Sequence, residues 1–226
     1  MKLPHLLFLA ISCSVLFASC GVSGTNIPGD PVPASTEPVS PKNKPNLSLT
    51  HKNSPKVKPA VGLKGHIDQA ITYVQQNGYS TEYCFLVDLG IKSGKNRFFV
   101  YDLQKNTIAL SGLVAHGSCN TQFLSQAKFS NTPDCGCSSL GKYKVGAFYM
   151  GEWGKSYRLY GLDNSNSNAF KRGIVIHGHD CVPDEEIYPR VLCNSFGCPM
   201  VSVNFFEELS GIIKKSEKPI LLWIYK

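Results

Sequence analysis

The chain has 226 residues, 42% of them hydrophobic and 17% charged, a balance that supports a packed core and excludes a wholly disordered protein. Its length allows one domain with appendages and excludes a large multidomain machine. The net charge of +7 is uneven: Lys2 carries one, five lysines against Asp30 and Glu37 in residues 21–60 carry three more, and residues 61–226 keep +3 with Lys and Arg scattered among acids. No basic stripe is formed, so no nucleic-acid partner is expected.

Lys2 is followed by an apolar stretch, Leu6 to Ala18, too short for an ordinary membrane anchor and flanked as a secretory signal would be. Residues 1–19 therefore read as an export signal. The stretch ends in Leu16-Phe17-Ala18-Ser19-Cys20, which resembles the bacterial lipoprotein signal, with Phe17 where Leu is commoner. That resemblance implies cleavage before Cys20, lipidation of its thiol and attachment to a membrane through the lipid. The alternative is cleavage near Ser19 to give a soluble exported protein. Gly21 lacks the acidic character that some bacteria use to retain lipoproteins in the inner membrane, which favours the outer membrane of a cell envelope.

Residues 20–60 hold eight of the fourteen prolines, no Phe, Trp or Tyr, and many Ser, Thr, Asn and Lys. Such a segment buries too little apolar area to offset chain entropy and reads as a tether.

The globular unit spans 61–226. Ile67, Ala70, Ile71 and Val74 recur at helical spacing, and Gly78 is a plausible C-terminal stop. Strands are expected at Tyr83–Leu89, Arg97–Leu103, Thr107–Ala115, Lys142–Tyr149, Tyr157–Leu162, Gly173–His177 and Ile220–Tyr225, from runs of β-branched and aromatic residues bounded by turn formers. Phe205–Lys215 reads as a second helix, with Phe206, Leu209, Ile212 and Ile213 on one face. Many strands with few short helices predict a mostly β, sandwich or barrel-like domain. Trp153 and Trp223 fit a core or a groove, and Asp180, Glu185 and Glu186 a solvated loop face.

Of nine cysteines, Cys13 leaves with the signal and Cys20 takes the lipid, which leaves Cys84, Cys119, Cys135, Cys137, Cys181, Cys193 and Cys198. In an oxidising compartment an odd count allows up to three disulfides and one free thiol. Cys181 with Cys193 is the most economical local pair, and Cys84, in an apolar run, can equally be a buried reduced thiol. Cys135-Gly-Cys137 and His177-Gly-His179-Asp180-Cys181 cluster soft ligands, but neither has a usual structural-zinc spacing, and no metal is expected.

The chemistry concentrates near residue 198. A thiol becomes a strong nucleophile as thiolate, which a neighbouring imidazole generates and stabilises. Gly173–Ile176 reads as a buried strand delivering His177, and after a loop Ser195-Phe196-Gly197-Cys198-Pro199 presents the cysteine, with Gly197 leaving room for substrate and main-chain donors. His179 is a rim residue and a second candidate for the base. Cys198 as a buried structural thiol is the competing reading.

These motifs resemble the L,D-transpeptidase catalytic domain (YkuD-type) of bacterial cell-wall enzymes, in its murein L,D-transpeptidase branch. The agreement runs in order through Val114-Ala115-His116-Gly117, Phe129–Pro133, Ser138–Tyr143, Arg172–Gly178 and Ser195–Pro199. The resemblance implies that Cys198 attacks a peptidoglycan stem peptide at its third residue, expels the terminal D-Ala and leaves a thioester, which an amine resolves into a cross-link. Water instead would give an L,D-carboxypeptidase, and loss of turnover a non-catalytic peptidoglycan-binding lipoprotein. It further implies His177 as general base, oriented by the Gly178 carbonyl, and an oxyanion hole from the N–H groups of Gly197 and Cys198. Tyr160 is a candidate to assist that hole, Arg172 and Arg190 to receive substrate carboxylates, and His116 and Ser195 to line the substrate groove. No cofactor is implied, and a monomer is expected. Three departures stand out: Phe196 and Met200 replace residues usual in the better-known branch, and the interval from His177 to Cys198 is longer, its extra loop carrying Cys181 and Cys193. A disulfide there would staple the rim of the site.

Overall fold

The computed structural model describes residues 61–226, so the export signal, Cys20 and the tether lie outside the described residues. Helix α1 spans Val61–Asn77. It ends at Gly78 (φ +71°), after which Tyr79 N–H donates to the Val74 carbonyl at 3.3 Å, the bond that closes a helix whose next residue turns left-handed. Nine strands follow: β1 Tyr83–Asp88, β2 Phe98–Asp102, β3 Thr107–Gly112, β4 Val114–Ala115, β5 Gly141–Gly151, β6 Gly154–Gly161, β7 Val175–Gly178, β8 Met200–Val201 and β9 Leu221–Tyr225. Helix α2, Val203–Lys215, lies between β8 and β9. Its first turn is capped by Ser202, whose Oγ accepts Phe205 N–H at 3.2 Å and donates to Asp184.

The strands form one sheet in the order β3-β2-β1-β9-β5-β6-β7-β8-β4. β3 and β4 stand at opposite ends of that order, yet only Leu113 separates them in the chain. Two residues reach about 7 Å, so the sheet has to curl until its edges nearly meet. This corrects the expectation of one strand over Thr107–Ala115: the run is continuous in composition but is divided between the two edges. The mostly β, barrel-like class stands as expected.

Both faces of the central strands are covered, which explains their unbroken apolar sequence. Phe85, Val87, Leu222 and Ile224 point inward with Phe98, Val100, Tyr143, Leu159, Ile176 and the α2 residues Phe205, Phe206 and Leu209. Their alternates Cys84, Leu86, Leu221, Trp223 and Tyr225 pack outward against Leu63, Ile67, Ala70 and Val74 of α1. Trp223 thus belongs to the core beneath α1. Among the described residues no helix is long and apolar enough to cross a membrane.

Among the described residues two disulfides are formed, Cys119–Cys137 and Cys181–Cys193. Cys84, Cys135 and Cys198 are free. The economical local pair therefore forms, and no third bridge forms among the described residues. Cys84 is enclosed between β1 and α1, and burial pushes its thiol up to about 12, a chemically inert state.

Candidate active site

Strands β7 and β8 run parallel with His177 opposite Met200, and this pairing draws the two chemical motifs together. Cys198, two residues before Met200, lies beside Val175, whose N–H donates to Sγ at 3.5 Å. His177 and Cys198 both line a cleft of about 110 Å³ that is completed by Trp153, His179, Cys181, Asn194, Ser195, Phe196 and Met200.

His177 is 3% exposed, and its Nδ1 lies 3.2 Å from the Gly178 carbonyl. A carbonyl only accepts, so Nδ1 carries the proton and Nε2 keeps its lone pair. Burial lowers the imidazole pKa, the Gly178 bond opposes that shift, and the nearby His179 adds to it. Burial raises the Cys198 thiol, partly countered by the Val175 N–H and by the positive charge of Arg172. The two shifts favour the protonated thiol and the uncharged imidazole.

The turn that presents Cys198 is held from within. Ser195 Oγ donates to the Cys198 carbonyl at 2.6 Å and accepts Gly197 N–H at 3.1 Å. Gly197 has φ +112°, and a Cβ there would fall 2.6 Å from the Cys137 carbonyl and 3.0 Å from an Arg172 nitrogen, so only glycine fits. Behind this turn the Arg172 guanidinium donates to the Ser130 carbonyl at 3.0 Å, to Ser139 Oγ at 3.2 Å and to the Cys137 carbonyl. Tyr143 OH donates to the Ser139 carbonyl at 2.7 Å and accepts from Ser139 Oγ at 2.8 Å, which completes a buried network.

Of the residues expected at the site, Cys198, His177 and Ser195 line the cleft, and Gly178 and Gly197 adjoin it. Arg172 stands one layer behind with its fork on main-chain and hydroxyl oxygens. His116 is also behind, 1% exposed: Arg97 donates to its Nδ1 at 2.9 Å, so Nε2–H donates to the Leu124 carbonyl at 3.1 Å. Desolvation and the Arg97 charge lower it to about 4. Tyr160 is not among the residues lining the cleft; its ring stacks on Phe170 at 5.2 Å with Lys144 Nζ 4.9 Å from its centre. Arg190 is exposed, its main chain packed on Gly94. His179 lines the rim, and its Nδ1 accepts Cys181 N–H at 3.1 Å. Glu186 is not merely solvated, because it accepts Asn96 N–H at 2.8 Å and ties the loop after His179 to the β1–β2 connection.

Three contributors were less legible. Trp153 sits in the two-residue turn between β5 and β6, and its ring lies 6.1 Å from that of His177, tilted by 25°. Asn194 accepts Leu124 N–H at 2.7 Å and donates back to the Leu124 carbonyl at 3.0 Å, fixing the cleft floor. Arg97, buried, donates twice to the Val114 carbonyl and once to that of Ile91. Only adjacency to Ser195 could have marked Asn194, and nothing local marks Arg97. Among the described residues no group of three or more His, Cys, Asp or Glu could hold a metal ion.

The L,D-transpeptidase catalytic domain of the YkuD type matches residues 57–225. The chain belongs to that family. No curated protein matches the chain at a significant level. Among solved structures it is similar to the Ldtfm-avibactam carbamoyl enzyme (16% identity, 64% of this chain and 49% of that one, TM-score 0.40). It is also similar to an L,D-transpeptidase from Xylanimonas cellulosilytica (15%, 68% and 68%, TM-score 0.38). A third is the helical cell shape determining protein Pgp2 from Campylobacter jejuni (13%, 71% and 55%, TM-score 0.40). The chain thus spans about half to two thirds of the length of these proteins.

Proposed function

We propose that this protein is a cysteine-dependent L,D-transpeptidase that acts on peptidoglycan stem peptides. Family membership supports the reaction class, and the observation that carries the reading is the convergence of Cys198 and His177 on one cleft through the β7–β8 pair. In the proposed reaction His177 Nε2 takes the proton of Cys198 as sulfur attacks the carbonyl of the third stem residue. The protonated ring then gives that proton to the departing D-Ala amine, leaving a thioester. An amine of a second stem attacks the thioester, loses its proton to His177, and the sulfur leaves and is reprotonated. The Cys198 N–H is one oxyanion donor. Gly197 N–H can be the other only if the Ser195 hydroxyl yields it.

The starting thiol is neutral, so proton removal belongs to the attack step and not to a preformed ion pair. Following the N-terminal sequence, we further propose that the mature protein is held in the cell envelope by lipid on Cys20, with residues 21–60 letting the domain reach the wall.

Incubation with a carbapenem tests the nucleophile: one acyl adduct is expected on the wild type and none on Cys198→Ser, and an adduct retained by Cys198→Ser would overturn the assignment. Digestion of tetrapeptide muropeptides then separates outcomes. Cross-linked dimers support transpeptidation, tripeptide monomers alone indicate the carboxypeptidase, and neither product with wild-type protein indicates a wall-binding role.

A further inference from the structure

A second group of sulfurs lies behind the nucleophile turn, on the segment that Arg172 brackets. Cys119 and Cys137 are joined, while Cys135 keeps a free, partly exposed thiol. Cys119 N–H donates to the Gly136 carbonyl at 3.0 Å, which seats Cys119 opposite the single residue that separates Cys135 from Cys137. Cys137 N–H donates to Cys135 Sγ at 3.3 Å, which sets the free sulfur beside the main chain of the bridged residue, while the thiol itself reaches the Ser130 carbonyl at 3.9 Å. Asn120 Nδ2 donates to the Asp134 carbonyl at 2.7 Å and ties the two crossing segments a second time. Cys119, Asn120, Asp134 and Gly136 all have φ between +52° and +62°, three of them non-glycine residues in the sparsely populated left-handed region. The chain is thus folded tightly on both sides of one disulfide with a free thiol beside it.

We infer that Cys119, Cys135 and Cys137 form a thiol–disulfide exchange site in which Cys135 is the resident attacking thiol. The Cys135 thiol gives its proton to solvent, and its thiolate attacks Cys119 Sγ. The Cys119–Cys137 bond breaks as the Cys119–Cys135 bond forms, and Cys137 leaves as a thiolate that takes a proton from solvent. One disulfide and one thiol exist before and after, so no external oxidant or reductant is consumed. The change reaches the proposed active site by contact: the Cys137 carbonyl accepts from Arg172 and forms the wall against which Gly197 closes, directly before Cys198. The exchange is carried by the cysteines alone and stands or falls apart from the peptidoglycan activity.

The test uses the full chain in a glutathione buffer at pH 8, quenched with acid. Free thiols are labelled first, bridged ones are reduced and labelled second, and peptide fragmentation reads which label Cys135 and Cys137 carry. Wild type is expected to yield a fraction with the first label on Cys137 and the second on Cys135, with Cys119 carrying the second. In Cys135→Ser that fraction is lost. Exclusive first labelling of Cys135 in the wild type would overturn the proposal. So would Cys137 labelling that persists in Cys135→Ser, which is plain reduction, or that appears only together with opening of Cys181–Cys193 or exposure of Cys84, which is unfolding.

Discussion

Cys198 and Arg172 define the electrostatics of the site between them. Burial holds the thiol up, and the guanidinium, although fully engaged with oxygens behind the turn, pulls it down. The rate of Cys198 alkylation against pH should therefore inflect above the ordinary cysteine value of about 8.5. Arg172→Gln should move the inflection further up, and Arg172→Lys, which keeps the charge but not the fork, should leave it near that of the wild type. An inflection well below 8 in the wild type would show a preformed thiolate and overturn the neutral resting pair. Ser195 acts through geometry instead. Its Oγ joins Gly197 N–H to the Cys198 carbonyl, so Ser195→Ala should loosen the turn and slow carbapenem acylation by about tenfold, the equivalent of one hydrogen bond of roughly 1 kcal/mol or slightly more, a loss that outweighs the release of Gly197 N–H to the oxyanion. It should leave the alkylation inflection unchanged. An upward or downward shift of that inflection would mean that Ser195 tunes the thiol and does not merely position it.

At the scale of elements, the structure follows the sequence pattern wherever the cause is local. The end of α1 at Gly78 is one case: a left-handed residue is needed there, and no heavy atom lies within 4 Å of where a Cβ would stand. Gly78→Ala therefore costs only conformational energy, about 1 kcal/mol, to be seen as a lower urea midpoint with an unchanged denaturant slope. An unaltered midpoint would count against this account of the helix stop. The run from Thr107 to Ala115 shows the opposite situation. Its composition is uniform, but Gly112 pairs with Phe98 while Ala115 pairs with Met200. Partners from distant parts of the chain decide where one strand becomes two, and no window around residue 113 contains them.

At the scale of the whole molecule, closure of the sheet carries a buried polar cluster with it. Arg97 on the β2 side reaches across to the Val114 carbonyl and to His116, and so ties the two edges of the sheet. His116 is lowered to about 4, against about 6.5 in an unfolded chain. The unfolded state then binds its proton first, so the contribution of His116 to stability is full above about pH 6.5 and declines as pH falls toward 4. His177, also lowered by burial, adds in the same direction. Urea midpoints measured at pH 7, 5.5 and 4.5 should fall more steeply for the wild type than for His116→Gln, which cannot take up that proton. Parallel pH dependences would contradict a neutral buried His116.

Residue types at fixed spacing were sufficient to identify the family and the mostly β class and to single out Cys198 and His177 for the proposed chemistry, because each rests on a short motif or on local periodicity. What the motifs could not decide was which polar side chains face the cleft. Ser195 and His177 do, whereas Arg172 and His116 turn to main-chain oxygens one layer behind, and Tyr160 and Arg190 lie elsewhere. The cysteine pairing was likewise open, since a bridge requires two sulfurs to be brought together and the fold leaves Cys84, Cys135 and Cys198 unbridged. Composition and spacing act over a few residues, but orientation and pairing are settled only when the sheet curls and brings residues 97, 116, 137, 172 and 197 into one neighbourhood.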